Sequence, residues 1–452
     1  MAPITYKSSA RFELTSYSGL ALVGECFAAA QVEALLDRHI PVSQGMRSSD
    51  LIKSMTALLC LGKSDFEAIE PFRTDRFFKE ALGIHKVPSS VWMRQRLDQK
   101  ANDFLAHIDE LSLRLIERSQ APISPHLGYV CLDIDTFVMN NDNSQKELVS
   151  RTYQGVDGYT PIAAYVGNEG WNLGLALRKG SDHSSRNAPA FFTRMIQQSH
   201  RLIQSTQPIL LRADSAFDGR EILLLCTQAK EQLAQQSQDL DFIIKWNPRE
   251  QDRQAFLQDS IAGGMTQIRE GKRIGWVEHL LEKEHQGEKR KIRLVVRVTE
   301  RTSDKKGQML IEPEISLDGW YTSLNDSGED IAKLYRYHGT HEQYHSEIKS
   351  DLDVERLPSG KFATNDLIVH LAGFAYNCLR LIGQLGLAGN ISPVRHPAKR
   401  RRIKTVLQEI IYRAAKVIQQ ARGWVLDFGR GAQSIVNIFT HVTQNIRCAC
   451  RI

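Results

Sequence analysis

The sequence predicts an α/β protein with a mixed sheet at its centre, a β-rich insertion, and helical regions on both sides. Three observations carry this. Residues 126 to about 246 spell three strands, a helix, a strand, a helix and a strand. Residues of about 247–325 interrupt that order with β-hairpins separated by polar, charged loops. Before about 120 and after about 327, apolar residues recur at i, i+3 and i+4, the spacing of one helix face.

Taken in order, LALVGECFAAAQVEALL and SSDLIKSMTALLCLG read as helices, with Ser48, Ser49 and Asp50 offering N-cap oxygens to the second. Pro88-Ser89-Ser90 then precedes the long amphipathic pattern VWMRQRLDQKANDFLAHIDELSLRLI. Residues 1–120 therefore make a helical region suited to DNA binding or to packing and dimerisation. GYVCLDIDTFVM, IAAYVG and LGLALRKG are strands, APAFFTRMIQQSHRLIQS a helix, and PILLRADSAF a strand running into a turn. EILLLCTQAKEQLAQQ is helical and DFIIKW is the last strand of the series. RIGWVEHLLE, KIRLVVRVTER, MLIEPEISL and GWYTSL supply the hairpins of the insertion. Helix returns at SGEDIAKLYRYHGTHEQYHSEIKSDL and at ATNDLIVHLAGFAYNCLRLIGQLGL, closing a region of 126–390. The region 393–452 opens on VRHPAKRRRIK, is expected to continue as amphipathic helix through VLQEIIYRAAKVIQQARGW, and ends in VNIFTHVTQNI.

A length of 452 residues fits two or three domains. With 42% hydrophobic and 24% charged residues, the composition excludes a disordered chain, a collagen and a coiled coil. No apolar run approaches the ~20 residues of a membrane span. The amino-terminal residues lack a basic start followed by an apolar core, so no secretory signal is expected. Seven cysteines, mostly among apolar neighbours and without a CxxC pair, point to a reduced, cytoplasmic interior. The net charge of +6 is mild, so the placement of the basic residues matters more than their sum.

Asp133 and Asp135 sit near the end of an apolar strand, on one face of it, while Leu132 and Ile134 point into the core. Asp214 follows ILLRA, again where a strand gives way to a loop. Acids at carboxyl ends of sheet strands occupy the place where α/β folds build sites. Two carboxylates held close repel, and a divalent cation relieves that repulsion, so the pair is a natural platform for Mg²⁺ or Mn²⁺. On the helix expected over 331–352, Tyr335, His338, Glu342 and Lys349 fall within an arc of about 60°. An acid flanked by an aromatic and two cationic groups suits a metal ligand beside a DNA phosphate.

These residues carry a resemblance. Tyr335-x2-His338-x3-Glu342-x6-Lys349 resembles the Tyr-x2-Arg-x3-Glu-x6-Lys signature of DDE transposases from bacterial insertion sequences. LDIDTF and LRADSAF resemble the strands bearing their first and second catalytic Asp, and YQGVDGYTPIAAY and LRKGSDHSSRNAPAFF resemble the insertion-sequence group called thirteen-eighty. The similarity spans about residues 130–385. It implies a ribonuclease H-like core with a β-rich insertion ahead of the helix bearing the Glu. It also implies that Asp135, Asp214 and Glu342 hold two Mg²⁺ ions per active site, with Mn²⁺ able to substitute. Asp135 is preferred to Asp133 because the family's acid directly precedes a small hydroxyl residue, here Thr136. Lys349, Tyr335 and His338 would grip the DNA backbone, and Trp320 would stack on an unpaired base. The partners implied are double-stranded DNA, both terminal inverted repeats and target, and a second copy of the chain. The setting implied is the bacterial nucleoid, without a membrane. One departure is His338, where the family has Arg: an imidazole is only partly protonated at neutral pH and lacks the bidentate fork.

The same helix spells His341-Glu342-Gln343-Tyr344-His345, a formal HExxH zinc-protease motif, with Asp351 as a conceivable third ligand. That reading leaves Asp133, Asp135 and Asp214 without a role. His341 and His345 are expected to lie roughly 60–100° around the helix from Glu342, off the metal site. A third class is a transposase-derived protein that binds DNA without cutting it. The basic cluster Lys399, Arg400, Arg401 and Arg402 would serve it, or an enzyme, by neutralising phosphates.

Overall fold

A computed structural model describes residues 4, 12–203, 207–304, 306–389, 391–392, 399–421 and 423–450. The chain opens with a short strand β1 (Glu13–Thr15) and five helices: α1 (Leu20–Ala29), α2 (Val32–His39), α3 (Ser48–Leu59), α4 (Arg76–Ala81) and α5 (Ser90–Arg118). The apolar run expected as one helix is two, because Gln31 takes a left-handed backbone at φ 55°. Ser89 caps α5, its hydroxyl accepting from the Trp92 N–H at 3.3 Å. Ser48, Ser49 and Asp50 do not cap α3. They are buried and tie it sideways: Ser49 Oγ to Asp37 Oδ2 at 2.7 Å, and Asp50 accepting the backbone N–H groups of His85 and Lys86.

The expected strand–helix order follows, with three short strands at 139–159 that were not expected. It comprises β2 (Val130–Thr136), β3 (Met139–Asn140), β4 (Ser150–Arg151), β5 (Asp157–Tyr159), β6 (Ile162–Val166), β7 (Trp171–Ala176), α6 (Ala188–Leu202), β8 (Ile209–Ala213), α7 (Arg220–Ala234) and β9 (Leu240–Trp246). The minor strands form a small sheet in the order β3-β5-β4. The major ones lie in the order β7-β6-β2-β8-β9; β7, β6 and β2 are antiparallel neighbours, while β2, β8 and β9 run parallel. This is the ribonuclease H-like arrangement. Strands β2 and β8 are buried along their whole length, as parallel strands covered on both faces must be.

The insertion extends the same sheet. It contains α8 (Arg253–Ala262), β10 (Thr266–Arg269), β11 (Lys272–His285), β12 (Glu288–Ser303) and β13 (Met309–Thr322). The sheet continues from β9 through β13, β12 and β11 to β10. Only Gly319–Thr322 of β13 pairs with β9, so residues 309–318 run on past Trp246, beyond the carboxyl edge of the parallel strands. Helix α8 was not expected; its signal is Asp252, whose carboxylate accepts from the Gln254 and Ala255 N–H groups.

The single helix expected over 331–352 is four pieces. Helix α9 (Gly328–Arg336) passes into a 3₁₀ turn (Tyr337–Thr340), then α10 (His341–Ser346), then a π turn (Glu347–Asp351). The π turn closes with Leu352 N–H on Glu347 O at 3.2 Å. Helix α11 (Phe362–Leu387) is buried over most of its surface. It joins the helical region to the sheet in one apolar cluster, with Cys26 and Cys60 against its Cys378 and Ala375 carbonyls. After α12 (Ile403–Val406) the expected amphipathic helix gives way to a hairpin, β14 (Ala415–Gln420) and β15 (Gly423–Asp427). The physical reason is tertiary: β1, some 400 residues earlier, pairs with β14 through Glu13–Val417 and Thr15–Ala415, which overrides local helix preference. Helix α13 (Gln433–Cys450) ends the described chain. All seven cysteines are free, and among the described residues no helix is long and apolar enough to cross a membrane.

Candidate active site

Register decides which acids meet. In the parallel β2/β8 pair Asp133 stands opposite Arg212 and Ile134 opposite Ala213, so Asp135 and Asp214 emerge together at the carboxyl edge. Asp133 is engaged: Arg212 donates to it from Nε and Nη2 at 2.8 Å each, and His338 Nδ1 lies 2.8 Å away. Burial alone would raise the Asp133 carboxyl, but Arg212 and His338 hold it far below the ordinary range. Asp135 is the acid turned to α10. Its Oδ2 lies 2.5 Å from His341 Nε2 and 3.5 Å from His345 Nε2. Burial again opposes ionisation, and these two imidazoles outweigh it, keeping Asp135 ionised.

Asp214 behaves oppositely. Burial and the neighbouring Asp135 charge push its carboxyl up to about 7, although it accepts the Ala216 N–H at 3.0 Å. One acid of the pair is ionised and the other resists losing its proton, the signature of like charges competing for one place. A divalent cation would relieve this. A second sign of fit is His345 Nε2, a buried nitrogen with no hydrogen-bond partner.

The four-residue signature is divided. Tyr335 lies near the acids: its phenol is raised by burial and by the charges of Asp214, Asp135 and Asp133. His338 is 3% exposed and hydrogen-bonded to Asp133, so it lies in the interior and not on a phosphate-facing surface. Burial lowers its pKa. Lys349 donates to the Val138 carbonyl at 2.8 Å and pairs with Glu355 at 3.2 Å. Glu342 is exposed and shares a cleft with Gln343, Ser346, Glu347, Arg400 and Arg402; it is not among the groups that meet Asp135. His341 and His345, expected off the site, occupy that position instead. The reason is the 3₁₀ turn at 337–340, which winds tighter than 100° per residue and shifts the face extrapolated from Tyr335.

Trp320 is buried, packed with Val295, Ile243 and Leu210 under the Lys245 ammonium, so no face is open to a base here. Of the basic cluster, Lys399 is exposed. Arg400 pairs with Glu347 and Gln343 at 2.7 Å each, Arg401 Nε donates to the Leu387 carbonyl at 2.9 Å, and Arg402 holds Asp351 at 2.9 and 3.1 Å. Arg400 and Arg402 strap this segment to α10 and the π turn, and Arg401 ties it to the end of α11. Asp351, so engaged, is removed as a third zinc ligand for the HExxH reading. Sequence reasoning missed Arg212; an arginine inside an apolar strand demands a buried anion, and that was the available signal.

Sheet order defines a ribonuclease H-like core with paired acids at the carboxyl edge of its parallel strands. The chain belongs to the family described as transposase DDE domain group 1, whose model matches residues 11–450. Such transposases use divalent metal. No curated protein matches the chain. Among solved structures, a cryo-EM structure of a piggyBac transposase synaptic complex with hairpin DNA is similar at a TM-score of 0.41 and 10% identity, over 88% of this chain and 80% of that one.

Proposed function

We propose that the chain is a cut-and-paste DNA transposase that binds the inverted repeats of its own element, cleaves there, and joins the freed 3′ ends to target DNA. One observation carries this reading above the others: Asp135 and Asp214 emerge together on adjacent parallel strands in a chain of a transposase family. Asp135 and Asp214 would hold two Mg²⁺ ions, or Mn²⁺, with Glu342 outside the pair in its exposed cleft. Bound there, such ions activate a water or 3′-hydroxyl oxygen and neutralise charge on the phosphoryl group. The chain's own residues prepare the place. Arg212 and His338 fix Asp133 and with it the β2/β8 edge, while Asp135 stays ionised between two imidazoles.

Residues 1–120 and 393–452 would contribute DNA binding, with Lys399 and Tyr335 toward the phosphates, and the second region would also serve dimerisation. Two ends require two active sites, hence a homodimer acting at the bacterial nucleoid. The test is direct: purified chain, Mg²⁺, and linear DNA carrying the repeats that flank its gene. Cuts at the outer repeat boundaries are expected. Binding of the repeats without any cut, in Mg²⁺ or Mn²⁺, would leave a binding protein and end the enzyme reading.

A further inference from the structure

The donor set around Asp135 is richer in nitrogen than an Mg²⁺ site calls for. His341 and His345 stand one turn apart on α10 and aim Nε2 at the same carboxylate oxygen. The three ligand atoms lie within 4.8 Å of one another. Bonds of about 2.1 Å in a tetrahedral site put ligand atoms about 3.4 Å apart. The His345–Asp135 separation of 3.5 Å already matches, and the His341–Asp135 contact of 2.5 Å needs to open by about an ångström.

The other ring nitrogens are set for this role. His341 Nδ1 contacts the His338 carbonyl, and His345 Nδ1 lies 3.2 Å from the Tyr165 hydroxyl. The carbonyl holds an Nδ1–H on His341, so its Nε2 is free for a metal once the proton it shares with Asp135 is displaced, and the Tyr165 hydroxyl can accept an Nδ1–H from His345 in the same way, the arrangement metal-bound histidines adopt. Phe137 stacks on the His345 ring at a centroid distance of 4.3 Å and fixes its plane. His345 Nε2 is buried without a hydrogen bond, which in the absence of a ligand is a cost to the fold.

We propose that His341 Nε2, His345 Nε2 and Asp135 Oδ2 form a site for one first-row transition-metal dication (Mn²⁺, Co²⁺ or Zn²⁺), with an open position for water or a phosphate oxygen. Imidazole nitrogen favours these ions, whereas Mg²⁺ prefers oxygen donors and retained waters. The inference rests on the reading of Asp135 as a metal ligand and replaces Mg²⁺ at one of its positions.

Cobalt makes the site visible. Full-length, metal-free protein titrated with CoCl₂ at neutral pH should bind about one ion per chain with intense visible bands of a low-coordinate nitrogen–oxygen set. A large excess of Mg²⁺ should leave the bands, and Zn²⁺ should bleach them. His345→Gln and His341→Gln should each weaken Co²⁺ binding at least tenfold, while Glu342→Gln leaves the spectrum unchanged. Bands that survive both histidine variants, bands that Mg²⁺ displaces mole for mole, or no bands at all would overturn the proposal. If a histidine variant does not fold, the Mg²⁺ and Zn²⁺ competitions on the wild type decide alone. The transposase reading fails separately: Mg²⁺-dependent end cleavage without a cobalt site sinks only this inference, and a cobalt site without cleavage in any metal sinks only the other.

Discussion

Asp214→Asn should lose metal-dependent cleavage of transposon-end DNA by about 10³-fold or more, with end binding and folding retained. The expected size follows from the charge the substitution removes. A bound dication contributes several kcal/mol of charge stabilisation to phosphoryl transfer, and each ~1.4 kcal/mol is tenfold in rate. The fold is spared because asparagine keeps the oxygen that accepts the Ala216 N–H at the turn after β8. Asp135→Asn should be equally inactive. Asp133→Asn should differ in kind: it strips the ion pair from Arg212, which is 3% exposed, and so lowers the unfolding midpoint. Cleavage assays on the three variants, with gel-shift binding and urea unfolding alongside, distinguish these. Wild-type cleavage by Asp214→Asn would remove it from the catalytic pair, and a folded but inactive Asp133→Asn beside an active Asp135→Asn would exchange their roles.

Arg380→Met should destabilise the fold by about 3–5 kcal/mol, the cost of a buried ion pair losing one partner. Arg380 on α11 and Glu347 at the π turn are 1% and 2% exposed at their side chains and bonded to each other. Arg380 also donates to the Tyr376 hydroxyl at 2.8 Å and to the Arg401 carbonyl at 2.5 Å. Arg400 stays within 2.7 Å of Glu347 after the substitution, which argues for the lower end of that range. The double variant Arg380→Met with Glu347→Leu should regain only part of the loss, because it removes the stranded carboxylate but takes from Arg400, 12% exposed, its ionic partner and leaves it Gln343 alone. Urea unfolding of single and double variants measures both. A single variant within about 0.5 kcal/mol of wild type, the usual spread at inconsequential surface sites, would refute the argument.

The sheet was legible because strand patterns and their order survive without knowledge of what packs on them. The alternation around Asp133 and Asp135 found their shared face, and the strand end found Asp214. The helix opposite was harder. Its face was projected from Tyr335 to Lys349 at a constant 100° per residue. The chain departs from that constant at the 3₁₀ turn between Tyr335 and Glu342, which put Glu342 where His341 and His345 stand, and again at the π turn that carries Lys349. Neither turn has a proline or glycine pattern that betrays it; Gly339 is the nearest hint. The carboxyl-terminal hairpin was illegible for another reason. AAKVIQQ is a tolerable helix and becomes a strand only because β1 is there to pair with it. Basic residues were found but misjudged, since sequence shows a cluster's charge and not the Glu347 and Asp351 waiting for it.

The overhang of β13 can be restated as a length of duplex. Along β12 it runs from Asp318 opposite Arg297 to Met309 opposite Ser303, six steps of about 3.3 Å or roughly 20 Å, about six base pairs of B-DNA, with residues 310–313 bulged out of register. It stays paired with β12 as it passes the carboxyl end of β9, at the edge where β8 delivers Asp214. A hairpin a little over half a helical turn long therefore projects beyond that edge on the β9 side, and under the proposed function a double helix brought to the acids would be bounded there.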